Sequence, residues 1–416
     1  LKNMTIRGNK RLFVYIVEPF KIILYNIIFY WFGATDAVAE GSSLYSAVMV
    51  GMFFVSFAQY VWWLAQKRYV NKTVFTLTLL YLGACFVSFL FNFNANYAYE
   101  KYFYFFIVFS LPSILWGIEF GQEGPDGLSW LAKWLEPISW LISVYCTLVV
   151  LLPNLSGDVE LRGYAYQSHS YYAALAFGLL LFYVGYEERD QRFAFFKSKI
   201  ATIVRLVLIC IMPIAVISTG GKGGFVLMLV YVVMYLLLKD RKKPLLSIAY
   251  IVGGIVCLLV VVYIISNNRF LSDKLSFVTN YINFDTLSID MTNTSNRNIV
   301  YAEALQLIEE RPFLGYGIIS YMPLMTTTGQ YPHNYFLEVL LQGGTLYLMV
   351  VLFTLFCFFR KLLKQIKYDS NARIIAYLFI YTFIMLMFSG TYLTTSLFWF
   401  TLVSTLVVRR DTRNDI

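Results

Sequence analysis

Apolar residues run through this chain in long blocks separated by short polar stretches. About twelve blocks approach the roughly 20 residues that a helix needs to cross a bilayer. They lie near 12–32, 43–65, 73–91, 102–120, 137–153, 170–186, 200–218, 224–238, 244–265, 334–357, 372–389 and 391–408. The pattern predicts an all-α fold. One polytopic integral membrane bundle of about twelve transmembrane helices would span residues 1–416, with a large loop at 266–333 inserted between the ninth and tenth helices.

Within that loop, RNIVYAEALQLIEER has helical spacing. Ile299, Val300, Ala304, Leu307 and Ile308 share one face, and Glu303, Gln306 and Glu310 face away. Ser295 or Asn296 suits the N-cap, and Pro312 ends the helix. PFLGYG and TTTGQYP read as turns, bringing the chain sharply back to the bilayer at His333.

Composition agrees with the pattern. Of 416 residues, 59% are hydrophobic and 14% charged, where a soluble domain has roughly a quarter charged. The net charge of +9 does not imply a nucleic-acid partner, because lysine and arginine gather in short loops. These are the N-terminal stretch, QKR, EERDQR with KSK, KDRKK, RKLLKQIK and the final RRDTR. The loops around 33–42, 92–101, 154–169, 219–223 and 266–333 hold far less positive charge, which predicts cytoplasmic N- and C-termini and an external 266–333 loop. The first span is too long for a signal-peptide core and no small-residue cleavage site follows it. Five cysteines (Cys85, Cys146, Cys210, Cys257, Cys357) fall in or at the ends of apolar spans and read as packing residues. Most of the 33 tyrosines and 37 phenylalanines read as interfacial anchors and bundle packing.

The predicted topology collects unusual polar residues on the outer face. Arg162 and His169 precede the sixth span, Lys222 sits between glycine pairs in STGGKGG, Arg297 and Arg311 bracket the external helix, and His333, Asn334 and Glu338 open the tenth span. Arg162 or Arg311 alone suits a lipid headgroup as well as a site. An ammonium beside bare backbone N–H groups at a helix start suits a phosphate, although a tight hairpin turn also explains the glycines and the spacing is not that of a P-loop. His333 suits general base work, being able to accept a proton near neutral pH. Asn334 and Glu338 are four apart and fall on one side of the starting helix, and a glutamate there must line a cavity or find a partner. Two histidines and no external cysteine are too few ligands for a metal site. A cavity lined by cations with one base fits a lipid-linked phosphate or diphosphate substrate, and neither nucleotide nor metal cofactor is demanded.

Three stretches resemble the O-antigen ligase/polymerase family of bacterial envelope proteins. They are RGYAYQSHSYYAALAFGLLL, STGGKGGFVLML, and RNIVYAEALQLIEERPFLGYG followed by PHNYFLEVLLQGGTLYLMVVLF, together covering roughly 155–355. The resemblance implies a metal-independent, GT-C-like glycosyltransferase of the bacterial inner membrane with its active site facing the periplasm. It implies that His333 activates the acceptor hydroxyl and that Arg297 engages undecaprenyl diphosphate. Lys222 stands where the family has arginine, which keeps the charge but loses the bidentate fork; Arg162 and His169 match more loosely. The implied partners are an undecaprenyl-diphosphate-linked glycan donor and a lipid-linked acceptor among membrane lipids, with a chain-length regulator as a further candidate. A polymerase passing the growing glycan to the next lipid-linked unit is the reading preferred from the sequence, with a ligase to lipid A core as the alternative. Outside this family, a transporter or flippase for an anionic lipid, or a structural subunit, remains the competing class; the low count of ionisable residues within the spans speaks against it.

Overall fold

The computed structural model describes residues 12–33, 42–66, 106–156, 164–186, 192–238, 271–275, 282–283, 288–289, 297–318, 321–326 and 331–407. The helices that matter below are α1 (Glu18–Trp31), α2 (Ser43–Gln66), α3 (Leu111–Glu123), α4 (Pro125–Tyr145), α5 (Tyr164–Val184), α6 (Lys199–Thr219), α7 (Lys222–Leu238), α8 (Arg297–Glu310), α9 (Tyr335–Tyr368), α10 (Arg373–Phe388) and α11 (Ser396–Val407). A two-stranded antiparallel ribbon, β1 (Ile282–Asn283) and β2 (Ser288–Ile289), pairs Ile282 with Ile289.

The all-α architecture holds, but the expectation of about twelve membrane helices is overturned. Among the described residues, 5 helices are long and apolar enough to cross a membrane: Ser43–Ala65, Pro125–Leu155, Lys199–Thr219, Tyr335–Tyr368 and Ser370–Phe388. Lys21–Trp31, Lys222–Leu238 and Ser396–Val407 are apolar but shorter. An apolar block is not yet a spanning helix. The block at 102–120 is described from Phe106, where a π-helical turn (Phe106–Ser110) runs directly into the 13-residue α3, which carries Glu119 and Glu123 toward its end. The block at 137–153 is the tail of a helical run that begins at Pro125. The blocks at 73–91 and 244–265 lie outside the described residues.

Helix ends follow their sequences. Ser198 caps α6 by accepting from the Ala201 N–H at 3.1 Å, and Gly220, left-handed at φ 71°, ends it. Small residues set the closest approaches. Gly121 of α3 packs so tightly on α11 that an added Cβ would lie 2.5 Å from the Ser404 carbonyl oxygen. On the other side of the bundle, α5 lies between α6 and α7. The Tyr231 hydroxyl of α7 donates to the Tyr377 carbonyl of α10 at 2.8 Å, with the two rings stacked. The helix expected in the 266–333 loop forms over Arg297–Glu310, burying Val300, Ala304 and Leu307, whereas Ile299 is exposed. The capping candidates Ser295 and Asn296 lie outside the described residues.

The bundle holds more internal charge than its sequence suggests. Lys21 donates to Glu18 at 2.5 Å and to the Val108 carbonyl at 3.0 Å, all of it buried. Glu136, fully buried in α4, accepts from Arg192 through Nε at 2.8 Å and a second nitrogen, and from Arg205 of α6 at 2.6 Å. Removing the carboxylate would strand two cations in a low-dielectric interior. Glu136→Ala is therefore expected to lose about 3–5 kcal/mol of stability, read as a lowered unfolding midpoint of the protein in detergent.

Candidate functional site

The site is built around a helix that breaks. Gly344 inside α9 takes φ 62°, ψ −161°, dividing the helix after its first turns. A break inside a membrane leaves backbone groups without helical partners, and these must be satisfied by protein. The PFLGYG turn after α8 supplies them. The Tyr316 N–H donates to Leu341 O at 2.8 Å, Gly317 N–H to Gln342 O at 2.7 Å, and Thr345 N–H to Pro312 O at 2.7 Å. Only glycine permits this docking. A Cβ on Gly315 would lie 2.7 Å from Gln342 C, and one on Gly344 would lie 2.3 Å from Phe313 C.

The same interlock carries Arg297 and His333, since Arg297 begins α8 and His333 lies two residues before α9. His333 has φ 48°, the single positive value at a non-glycine among the described residues. Such geometry persists only where the surroundings impose it, and it concentrates at functional positions. The His333 ring lies 4.2 Å from that of Tyr331, and its buried Nδ1 has no hydrogen-bond partner among the described residues. Burial and then the positive charge of Arg297 push the imidazole down to about 4, so it is neutral at physiological pH.

Arg297 also acts electrostatically on Lys222. Three predicted residues far apart in sequence, Lys222, Arg297 and His333, are thus linked through the charge of Arg297. Arg297 donates to the Phe388 carbonyl and lies over the Phe388 ring at 5.9 Å. The glycines around Lys222 serve packing. A Cβ on Gly223 would lie 1.9 Å from the Tyr171 hydroxyl, and one on Gly224 would lie 2.6 Å from the backbone of Ser170. Ser170 donates to the Gly221 carbonyl at 2.8 Å. The hairpin reading of STGGKGG accounts for these contacts, and Lys222 opens α7 beside them, half-buried.

Other expected members are placed differently. Asn334 is the N-cap of α9, its Oδ1 accepting from the Phe336 and Leu337 N–H groups at 3.1 and 3.2 Å. It therefore sits outside the helix, and the shared face inferred for Asn334 and Glu338 does not form. Glu338 is 2% exposed and accepts from Thr391 at 2.5 Å and Gln342 at 3.2 Å. His169 is fully buried among Tyr30, Tyr145 and Tyr172, with Nε2 2.5 Å from the Tyr145 hydroxyl. Arg311 is exposed, stacked 4.8 Å over Tyr316, which donates to Glu310 at 2.8 Å. Arg162 lies outside the described residues.

The sequence reading passed over the segment between α10 and α11. The Phe388 carbonyl holds Arg297, the Gly390 N–H donates to the Tyr331 hydroxyl at 3.1 Å, and Thr391 donates to Glu338. The run SGTYLTT between two apolar blocks was its available signal. Among the described residues no group of three or more His, Cys, Asp or Glu side chains could hold a metal ion.

Residues 206–352, which include Lys222, Arg297 and His333, match the model of the family described as O-Antigen ligase. That stretch is similar to the O-antigen ligase family. The likeness covers about a third of the chain, whose described residues include 5 helices long and apolar enough to cross a membrane. No curated protein matches the chain at a significant level. The family domain contains both halves of the α8–α9 interlock, whereas the 388–395 loop and His169 lie beyond its ends. Gly344→Ala is expected to cost about 2 kcal/mol or more, combining strain at positive φ with a backbone collision. Faster proteolysis within 311–318 would report the loosened turn.

Proposed function

We propose that this protein is a glycosyltransferase of the bacterial inner membrane, working at its periplasmic face. It would transfer a glycan from undecaprenyl diphosphate to an acceptor hydroxyl, with Lys222 and Arg297 binding the diphosphate and His333 as base. The observation that carries the reading is the field of Arg297, which reaches both the other cation and the neutral histidine within a matched family domain. In the reaction the acceptor oxygen bonds the anomeric carbon while the bond from that carbon to the phosphate oxygen breaks. The electron pair departs with undecaprenyl diphosphate, facing the two cations, and the hydroxyl proton passes to His333.

The family description favours ligation to lipid A core over the chain-extending reading preferred from sequence. The break in α9 does not favour a transporter, because this chain's own turn fills it. Purified protein supplied with lipid-linked glycan and core acceptor is expected to join the two, and His333→Ala to abolish the product while remaining folded in the membrane. Product formed at the wild-type rate by that variant would overturn the base assignment, and lengthened glycan without core would mark a polymerase.

The low proton affinity of His333 belongs to the free enzyme. Two phosphate charges beside Arg297 would offset its field and so raise the imidazole by the smaller, electrostatic part of the shift, leaving the part due to burial. His333 would thereby become a stronger base once the donor is bound. The sign follows: kcat/KM, governed by the free enzyme, should decline only as pH falls toward about 4. The acidic limb of kcat should lie at higher pH, because it reports the donor complex. Coincident acidic limbs in the two profiles would refute this electrostatic coupling.

A further inference from the structure

Glu338 is too deeply buried to meet a substrate, yet it is bonded to the loop on which the site depends. Its Oε1 accepts from the Thr391 hydroxyl at 2.5 Å and from Gln342 Nε2 at 3.2 Å, and Tyr392 donates to the Gln342 side-chain oxygen. Thr391 is itself fixed, accepting from the Leu393 N–H at 3.2 Å and from the Thr395 hydroxyl through its carbonyl at 2.8 Å. From this anchored loop two contacts lead outward: Phe388 O holds the Arg297 guanidinium, and the Gly390 N–H donates to the Tyr331 hydroxyl, whose ring lies against His333.

We infer that Glu338 is a positioning residue: through Thr391 it clamps the 388–395 loop, and the loop sets Arg297 and Tyr331 in place around His333. The geometry is economical. Glu338 sits five residues after His333 on α9, so the carboxylate ties the loop to the helix that carries the base. Arg297 comes from α8, a different element, and meets His333 through the loop's Phe388 carbonyl as well as through the α8–α9 interlock. Releasing Thr391 would leave His333 on its cap but free Arg297 and Tyr331 to shift. Misplacement of about 1 Å in such a constellation costs on the order of a hundredfold in rate. This role rests on the proposed glycosyl transfer for its catalytic consequence, though not for its structural one.

Two readouts separate those consequences. The first is kinetic. Thr391→Val and Glu338→Leu should each lower kcat by about 10- to 100-fold with donor KM changed little. The double variant should be no worse than either single one, because both break one clamp. Thr391→Ser, which keeps the hydroxyl, should restore transfer.

The second readout needs no turnover. The chain has 2 histidines, so histidine-selective isotope labelling of untagged protein gives two ring signals, assigned with His169→Gln. In Thr391→Val the His333 titration should move upward from its low wild-type position, as it should in Arg297→Gln. An unchanged titration together with unchanged kcat in Thr391→Val would overturn the positioning role. A shifted titration in a protein whose wild type transfers no glycan would sustain the clamp and sink the proposed reaction. Should Thr391→Val fail to fold, Tyr331→Phe removes the other end of the clamp while keeping the ring, and the same two outcomes decide.

Discussion

A helix that stops hydrogen bonding within a membrane has to find new partners for its backbone, and the break at Gly344 is the constraint from which this site follows. The carbonyls of Leu341 and Gln342 and the N–H of Thr345 are met by the 312–317 turn. That turn is held by α8, so the break in α9 dictates where α8 begins and hence where Arg297 lies. Without the break, α9 would satisfy its own backbone, and α8 would be left with its apolar packing, in which Val300, Ala304 and Leu307 share a cluster with Leu341. The glycines at 315 and 344 are the condition of this contact, since either Cβ would overlap backbone atoms of the partner.

Around this interlock the molecule sets charge against burial in two ways. At Glu136, two arginines surround one carboxylate, and every charge has a partner of opposite sign. Such a cluster resists change because each member would be costly alone. Near His333 the balance is the reverse: Arg297 and Lys222 act on each other with like sign, and the neutral histidine beside them is held unprotonated. Like charges held together favour an anionic visitor. The first arrangement suits a scaffold, the second a binding surface.

The all-helical class and the external helix were legible because each rests on local periodicity: apolar blocks for the first, the 3.6-residue spacing of Val300, Ala304 and Leu307 for the second. The number of spans was not. Hydropathy records how apolar a block is, not how long a helix it forms: the block near 391–408 yields only the 12-residue α11. His333, Lys222 and Arg297 could be picked out as oddities in their surroundings. The 388–395 loop could not, since its members act largely through backbone groups (Phe388 O, Gly390 N–H) that every residue possesses. Asn334 was misread for a related reason: spacing of four implies a shared face only if both residues are inside the helix, and Asn334 is its cap.

The two histidines show what distinguishes a chemical group from a structural one of the same type. His169 lies within α5, fully buried, with a ring nitrogen against a tyrosine hydroxyl and three tyrosine rings around it. Its ring nitrogen is engaged and its ring packed on every side, as a structural histidine's would be. His333 stands in a left-handed backbone conformation, with a buried nitrogen unengaged among the described residues and a cation nearby that opposes protonation. Each feature costs stability, and only the 388–395 loop and the α8–α9 interlock hold them together. A fold that keeps a strained, neutral histidine within reach of the Arg297 charge has kept an arrangement that packing alone would remove.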